Sequence, residues 1–106
     1  MKIGAISIDS ETLKALCHRW GIAELAAFGS VLSNDFGPES DVDLLVTWKP
    51  GQRPPRIFEL FALRDELAAL LGRPVDLLER ALVENDENPY RRSGIISSAM
   101  TFYAAA

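Results

Sequence analysis

The amino-acid sequence predicts an α/β (α+β) fold in which helices flank a small mixed sheet of about three strands. Residues 42–48 form a nearly continuous apolar run, which is typical of a strand buried on both faces. Apolar residues recur at helical spacing over 57–71, and a second short apolar run covers 75–78. Because strand–helix–strand crossovers are right-handed and make their strands parallel, we expect the two runs to be parallel strands of one sheet.

The remaining elements are predicted from local signals. A helix is predicted over 9–20, where apolar residues recur at helical spacing and Gly21 follows as a stop. Residues 23–28 are predicted to form a strand that runs antiparallel to 42–48, because the link between them is short. A last helix is predicted over 95–103. One helical turn is predicted over 31–34, and loops are predicted over 35–40 and 49–56. The polar stretch 80–90 is predicted to form turns or a short helix.

Composition limits the class of protein. The chain has 106 residues, 48% hydrophobic and 25% charged, which predicts a single domain over 1–106. A net charge of −4 argues against stable nucleic-acid binding, which favours a basic surface. The single cysteine, Cys17, excludes an internal disulfide and a multi-cysteine zinc site. The sequence shows neither a secretory leader pattern nor an apolar run long enough for a membrane, so we expect a cytoplasmic protein.

Two acidic residues, Asp41 and Asp43, stand at the start of the strand predicted over 42–48. Residues i and i+2 of a strand lie on the same face, so the two carboxylates point towards one place. Carboxylates that close repel each other unless a cation lies between them. Magnesium suits this position because it binds carboxylate and nucleotide phosphate oxygens together.

Two further features are expected to converge on these acids. Gly29 and Ser30 follow the strand predicted over 23–28, where a glycine lets the backbone approach a phosphate and the serine hydroxyl can donate to one. Asp76 lies on the strand predicted over 75–78, which we expect beside Asp43. Three carboxylates next to a phosphate cradle are typical of two-metal phosphoryl or nucleotidyl transfer.

The motif from Gly29 to Asp43, Gly-Ser followed by ten residues and Asp-x-Asp, resembles the signature of the polymerase-β-like nucleotidyltransferases. Asp76 matches the third carboxylate on a later strand. The segment 88–92, N-P-Y-R-R, resembles the minimal nucleotidyltransferases, the antitoxins of two-gene modules with a HEPN ribonuclease toxin. The resemblance extends over nearly the whole chain.

This resemblance implies a polymerase-β-like nucleotidyltransferase core that uses Mg²⁺ and transfers AMP from ATP to a hydroxyl group, which in the antitoxin branch is a tyrosine of the toxin. Gly29 and Ser30 would hold the triphosphate. Asp41 and Asp43 would ligate the metal ions. Asp76 would complete the metal site and help to deprotonate the acceptor. The expected partners are therefore ATP and a cognate HEPN toxin, with homo- or hetero-oligomers left open.

The chain departs from this family pattern at several cationic positions. Many relatives carry arginine where this chain has Ser33 and Gly37, and charged residues where it has 93–96, S-G-I-I. Arginine makes bidentate contacts with phosphate, so these changes are expected to weaken triphosphate binding. A second hypothesis is therefore a decayed nucleotide site in an antitoxin that acts by binding only. Transfer to a small molecule or to RNA ends is a third, which the acidic balance disfavours.

Other notable residues are predicted to be structural. His18 is expected at the surface of the first helix and Cys17 in the core. Trp48 is expected to pack, although its place at the end of the acid-bearing strand also suits a pocket mouth.

An exposed apolar patch for the partner is expected on the helices. The candidates, which suit the core equally well, are Phe58, Phe61 and Phe102. Scattered cations suit either a solvated surface or contact with triphosphate: Lys49, Arg53, Arg56, Arg91 and Arg92.

Overall fold

The structure is a computed structural model that describes residues 1–33, 36–37 and 39–105. Its elements, in chain order, are β1 (Lys2–Ile3), β2 (Ile6–Ser7), α1 (Ser10–Trp20), β3 (Ile22–Phe28), a 3₁₀ turn (Gly29–Leu32), β4 (Val42–Trp48), α2 (Ile57–Leu71), β5 (Val75–Glu79), α3 (Arg80–Glu84), α4 (Pro89–Ser98) and β6 (Met100–Ala104). Among these described helices, none has the length and apolar character that crossing a membrane requires.

A four-stranded mixed sheet forms the centre of the fold, with the strand order β5-β4-β3-β6. Strands β4 and β5 are parallel, and β3 is antiparallel to both β4 and β6. The predicted parallel and antiparallel pairs are therefore confirmed, and the sheet has one strand more than the three expected. Strands β1 and β2 form a separate antiparallel hairpin, which the sequence did not predict.

Helices α1 and α2 cover one face of the sheet. Leu13 of α1, Leu63 and Leu67 of α2, and Leu44 of β4 belong to one large buried cluster. Burying a leucine side chain contributes about 1.5–3 kcal/mol relative to leaving it exposed. This face therefore supplies most of the apolar burial in the described part of the chain.

Helices α3 and α4 cover the opposite face more thinly. Its buried cluster consists of Ala26, Phe28, Leu45 and Val83. Helix α4 has no fully buried residue, although Ile95 and Ile96 pack partly against this cluster. The two faces therefore differ sharply in how much apolar surface they bury.

The C-terminal prediction was wrong. Residues 95–103 were expected to form a helix, but α4 ends at Ser98 and residues Met100–Ala104 form β6. Asn88 caps α4 by accepting hydrogen bonds from the backbone N–H groups of Tyr90 and Arg91, with Pro89 as the first helical residue. Asparagine followed by proline is a helix-start signal, and it lies in the stretch over 80–90 where turns or a short helix were predicted.

The segment between β3 and β4 starts with a helical turn that begins two residues earlier than predicted. The prediction placed it over 31–34, and the structure places a 3₁₀ turn at Gly29–Leu32. Residues 34, 35 and 38, which belong to the predicted turn and loop, lie outside the described residues.

Candidate active site

The structure brings Asp43 and Asp76 side by side. In the parallel pair β4–β5, Asp43 is the direct register partner of Asp76. Neighbouring strands lie about 4.8 Å apart, and directly paired residues of a sheet share a face. The two carboxylates therefore project together from the face that carries Leu45 and Leu78, the one covered by α3 and α4.

Asp41 precedes this pair by two residues and lies just before β4 begins at Val42. Its side chain is exposed, as is that of Asp76, whereas Asp43 is half-buried. Burial raises the pKa of Asp43, and the negative charges of Asp76 and Asp41 raise it further. Asp76 and Asp41 therefore lie close enough to Asp43 to disfavour the ionisation of that carboxyl group.

Gly29 lies against the same acids. It has φ +75°, and a Cβ atom built on it would lie 2.5 Å from Oδ2 of Asp43. Any side chain at this position would therefore strain the backbone and collide with the carboxylate. Gly29 follows Phe28, which is the register partner of Asp43 on the antiparallel side, so the turn and the acid meet by strand pairing.

The backbone on both sides of Asp41 is held by two consecutive residues, Arg73 and Pro74. Nη2 of Arg73 donates to the backbone carbonyl of Ser40 at 2.7 Å and also to that of Gly37. The amide of Val42 donates to the carbonyl of Pro74 at 2.8 Å. Arg73 was not identified from the sequence. No local pattern predicts its role, because its partners lie more than thirty positions earlier in the chain.

The protein side chains alone do not make a complete metal site. Among the described residues, no group of three or more His, Cys, Asp or Glu side chains is placed so that it could hold a metal ion. Asp43 and Asp76 share one face at one end of β4 and β5, Asp41 lies just before β4, and further ligands would have to come from a bound molecule.

Residues 9–100 match the family described as "Nucleotidyltransferase domain". The chain belongs to this family. Its relatives include a protein named protein adenylyltransferase MntA, from Thermococcus cleftensis. The two are 33% identical over 79 residues, which cover 74% of this chain and 77% of the relative.

Two solved structures share the fold of this nucleotidyltransferase. One is a crystal structure of a toxin–antitoxin with AMP-PNP, at TM-score 0.65 and 15% identity, covering 92% of this chain and 75% of that chain. The other is a complex of tri-AMPylated Shewanella oneidensis HEPN toxin with MNT antitoxin. It has TM-score 0.56 and 16% identity and covers 90% of this chain and 69% of that chain. The mixed α+β fold expected from the sequence is therefore confirmed, and the chain is a member of an enzyme family.

An apolar surface adjoins the acids of this nucleotidyltransferase at the edge of the sheet. A largely apolar cleft is lined by Ile57, Leu60, Phe61 and Arg64 of α2 and by Asp76 and Leu77 of β5. Ile57 and Phe61 are exposed. An exposed apolar patch beside a candidate site is typical of a surface that contacts another molecule.

The other two candidate residues for the apolar patch, Phe58 and Phe102, differ in how far they are exposed. Phe58 is 81% exposed, whereas Phe102 of β6 packs partly against the large buried cluster. Trp48 is half-buried, and its Nε1 donates to Oε2 of Glu79 at 2.9 Å. The predicted packing role of Trp48 is thus confirmed, and its hydrogen bond links the far ends of β4 and β5.

The two residues set aside as structural occupy the predicted environments. Cys17 is fully buried, and burial raises the pKa of its thiol to about 12. His18 is exposed near the end of α1. Two of the scattered cations form surface ion pairs, Arg53 with Glu59 and Arg91 with Asp86.

Proposed function

We propose that this nucleotidyltransferase is a Mg²⁺-dependent protein adenylyltransferase that transfers AMP from ATP to a tyrosine hydroxyl of a cognate HEPN toxin, and thereby acts as its antitoxin. The observation that carries the proposal is the pairing of Asp43 with Asp76 beside the Gly29 turn. The name of the Thermococcus cleftensis relative and the AMPylated toxin in the Shewanella oneidensis complex support the same reaction for this chain.

The charge of the site supports a divalent cation. The pKa of Asp43 is raised by burial, by Asp76 and by Asp41, and a cation between the carboxylates would relieve their repulsion. Mg²⁺ is commonly held by one or two carboxylates together with substrate phosphates and water, so an incomplete set of protein ligands fits this ion. When bound, Mg²⁺ neutralises the triphosphate and lowers the pKa of the acceptor hydroxyl.

Each site residue has a role in the proposed reaction. Asp41 and Asp43 hold the cation, and Asp76 completes its site and accepts the proton of the tyrosine hydroxyl. Gly29 and Ser30 bind the triphosphate through close backbone approach and the serine hydroxyl. The tyrosine oxygen forms a bond to the α-phosphorus, the bond from that phosphorus to the bridging oxygen breaks, and pyrophosphate leaves.

The acceptor is proposed to enter over the apolar cleft formed by Ile57, Leu60, Phe61 and Leu77, because this cleft adjoins Asp76. A protein segment with a tyrosine and apolar neighbours matches this lining. The chain acts as a single domain in this proposal, and we place it in the cytoplasm, where ATP and a ribonuclease toxin meet.

The test is transfer of labelled AMP to the partner toxin in the presence of Mg²⁺, followed by mass spectrometry of the modified residue. The double variant Asp41→Asn/Asp43→Asn is expected to transfer no label. Asp65→Asn, which changes an exposed acid on α2, is the matched control and should behave like the wild type. Transfer by the double variant at the wild-type rate, or modification only of residues other than tyrosine, would contradict the proposal.

A second candidate function is neutralisation of the toxin by binding alone. The residues that favour it are Ser33 and Gly37, which stand where many relatives have arginine. Under this alternative, Asp41→Asn/Asp43→Asn should protect cells from the toxin as well as the wild type does. Loss of protection by a variant that still forms the complex would exclude it.

A further inference from the structure

We propose that Arg73 is a positioning residue for Asp41: it fixes the turn before Asp41 so that this carboxylate faces the pair formed by Asp43 and Asp76. The inference rests on the proposed role of Asp41 as a ligand of the divalent cation. Arg73 itself touches neither nucleotide nor acceptor in this proposal, and it acts through the backbone that carries Asp41.

The contacts of Arg73 converge on one short turn. Its Nη2 donates to the carbonyls of Gly37 and Ser40, and its guanidinium carbon lies 4.3 Å from the centre of the Phe36 ring. The turn also closes on itself. The amide of Gly37 donates to Oγ of Ser40 at 3.0 Å, and the amide of Ser40 donates to the carbonyl of Gly37 at 3.1 Å. Arg73 therefore joins the two ends of this turn and stacks on the residue before it.

Asp41 lies between the two anchors that Arg73 and Pro74 provide. The carbonyl of Ser40, one residue before Asp41, accepts from Arg73, and the amide of Val42, one residue after it, donates to Pro74. Because Asp41 precedes β4, the strand ladder begins only after it. The direction of the Asp41 side chain is therefore set by the backbone on either side of it. The sheet fixes the backbone after Asp41, and Arg73 fixes the backbone before it.

The hydrogen bonding of Arg73 within the protein is incomplete. Its Nε atom is buried, and among the described residues it has no hydrogen-bond partner. A buried donor without a partner costs free energy. Arginine is nevertheless well suited to this turn, because Nη2 carries two N–H donors for the two carbonyls while the flat guanidinium stacks on an aromatic ring. The ammonium group of lysine can also donate to carbonyls, but it has no flat face to stack on the ring.

The test compares Arg73→Gln and Arg73→Lys with Arg19→Gln. Arg19 pairs with Glu66 at 2.8 Å between α1 and α2, away from the turn, so its loss removes a structural arginine contact only. The measurement is the Mg²⁺ concentration that half-saturates binding of a non-hydrolysable ATP analogue, by calorimetry. Outer-shell partners of metal ligands typically contribute 10–100-fold to metal affinity. We expect this concentration to rise about tenfold or more for Arg73→Gln, less for Arg73→Lys, and to stay at the wild-type value for Arg19→Gln.

A double-mutant cycle shows whether the effect passes through Asp41. In the Asp41→Asn background, Arg73→Gln should add no further change to the Mg²⁺ dependence, because the group that it positions is already lost. Equal effects of Arg73→Gln in both backgrounds would overturn the inference. An unchanged Mg²⁺ dependence together with a lowered melting temperature would also overturn it, since Arg73 would then serve stability alone.

Hydrogen exchange separates this inference from the proposed function. In Arg73→Gln, the Ser40 amide, which donates to Gly37 within the turn, should exchange at least several-fold faster, while the amide of Leu45 in the middle of β4 keeps its protection. If the wild type binds the nucleotide with Mg²⁺ but modifies no toxin, the proposed function fails and the Arg73 inference stands. If the exchange rate of the Ser40 amide is unchanged in Arg73→Gln, the inference fails whatever the reaction is.

Discussion

The two faces of the sheet serve different purposes. On the face covered by α1 and α2, Leu44 packs with Leu63 and Leu67 in a large buried cluster. On the face covered by α3 and α4, only a small cluster is buried, and the same strands present Asp43 and Asp76 beyond it. Because side chains alternate along a strand, one short segment supplies both core residues and the acids of the candidate site. The apolar burial on the first face stabilises the fold and so offsets the repulsion between the carboxylates on the second face.

The largest expected effect is a loss of catalysis when an acid is changed on the face that carries Asp43 and Asp76, the charged face. Asp43→Asn should reduce AMP transfer about a thousandfold or more, which corresponds to about 4 kcal/mol of transition-state stabilisation. The same variant should be more stable than the wild type when Mg²⁺ is absent. The two effects are measured by single-turnover transfer and by denaturant unfolding at pH 7.

The stability gain of Asp43→Asn follows from the direction of the pKa shift. The pKa of Asp43 is raised in the folded protein, so in the range between its unfolded and folded values the folded state binds more protons. Stability of the metal-free wild type therefore falls as pH rises through this range, and the loss persists at neutral pH. Asparagine removes this decline. A metal-free variant less stable than the wild type at pH 7 would contradict the carboxylate repulsion.

The next largest effect is on stability, from the packed face. Leu63 is fully buried on α2, and Leu63→Ala should lower the free energy of unfolding by about 2–5 kcal/mol. Ile96→Ala, on the thinly packed α4 side, is the matched comparison and should cost less than about 2 kcal/mol, because Ile96 is only partly buried. Similar losses for both variants, measured by denaturant unfolding, would show that the two faces do not differ as the burial indicates.

A smaller effect on stability than that of Leu63→Ala is expected where the turn that contains Gly29 meets the charged face. Gly29→Ala should destabilise the fold by about 1–3 kcal/mol, since it places a side chain at positive φ. The new Cβ atom would also displace the Asp43 carboxylate, so nucleotide binding with Mg²⁺ should weaken. Gly51→Ala is the control for the backbone term: Gly51 has φ +84° but no atom near the added Cβ. Equal nucleotide binding by the two variants would exclude the proposed contact.

Much of the fold could be predicted from local sequence signals. The bounds of β4 and α2 match the prediction residue for residue, because a continuous apolar run and a helical repeat ending at glycine depend on nearby residues only. The same reasoning failed for Met100–Ala104, whose short apolar sequence suits a helix or a strand. These residues form a strand because they pair with the open edge of β3. Local periodicity cannot predict this pairing, since β3 lies almost eighty residues earlier in the chain.

The candidate site divides in the same way. The residue types and spacing of Gly29, Asp41, Asp43 and Asp76 were visible in the sequence, since each follows or begins a predictable strand. The tertiary structure alone decided that Asp43 pairs with Asp76, that Gly29 has no room for a Cβ atom, and that Arg73 holds the turn before Asp41. Register and side-chain contacts depend on residues that meet only after the chain has folded, so the sequence determined which groups are present and the fold determined which of them meet.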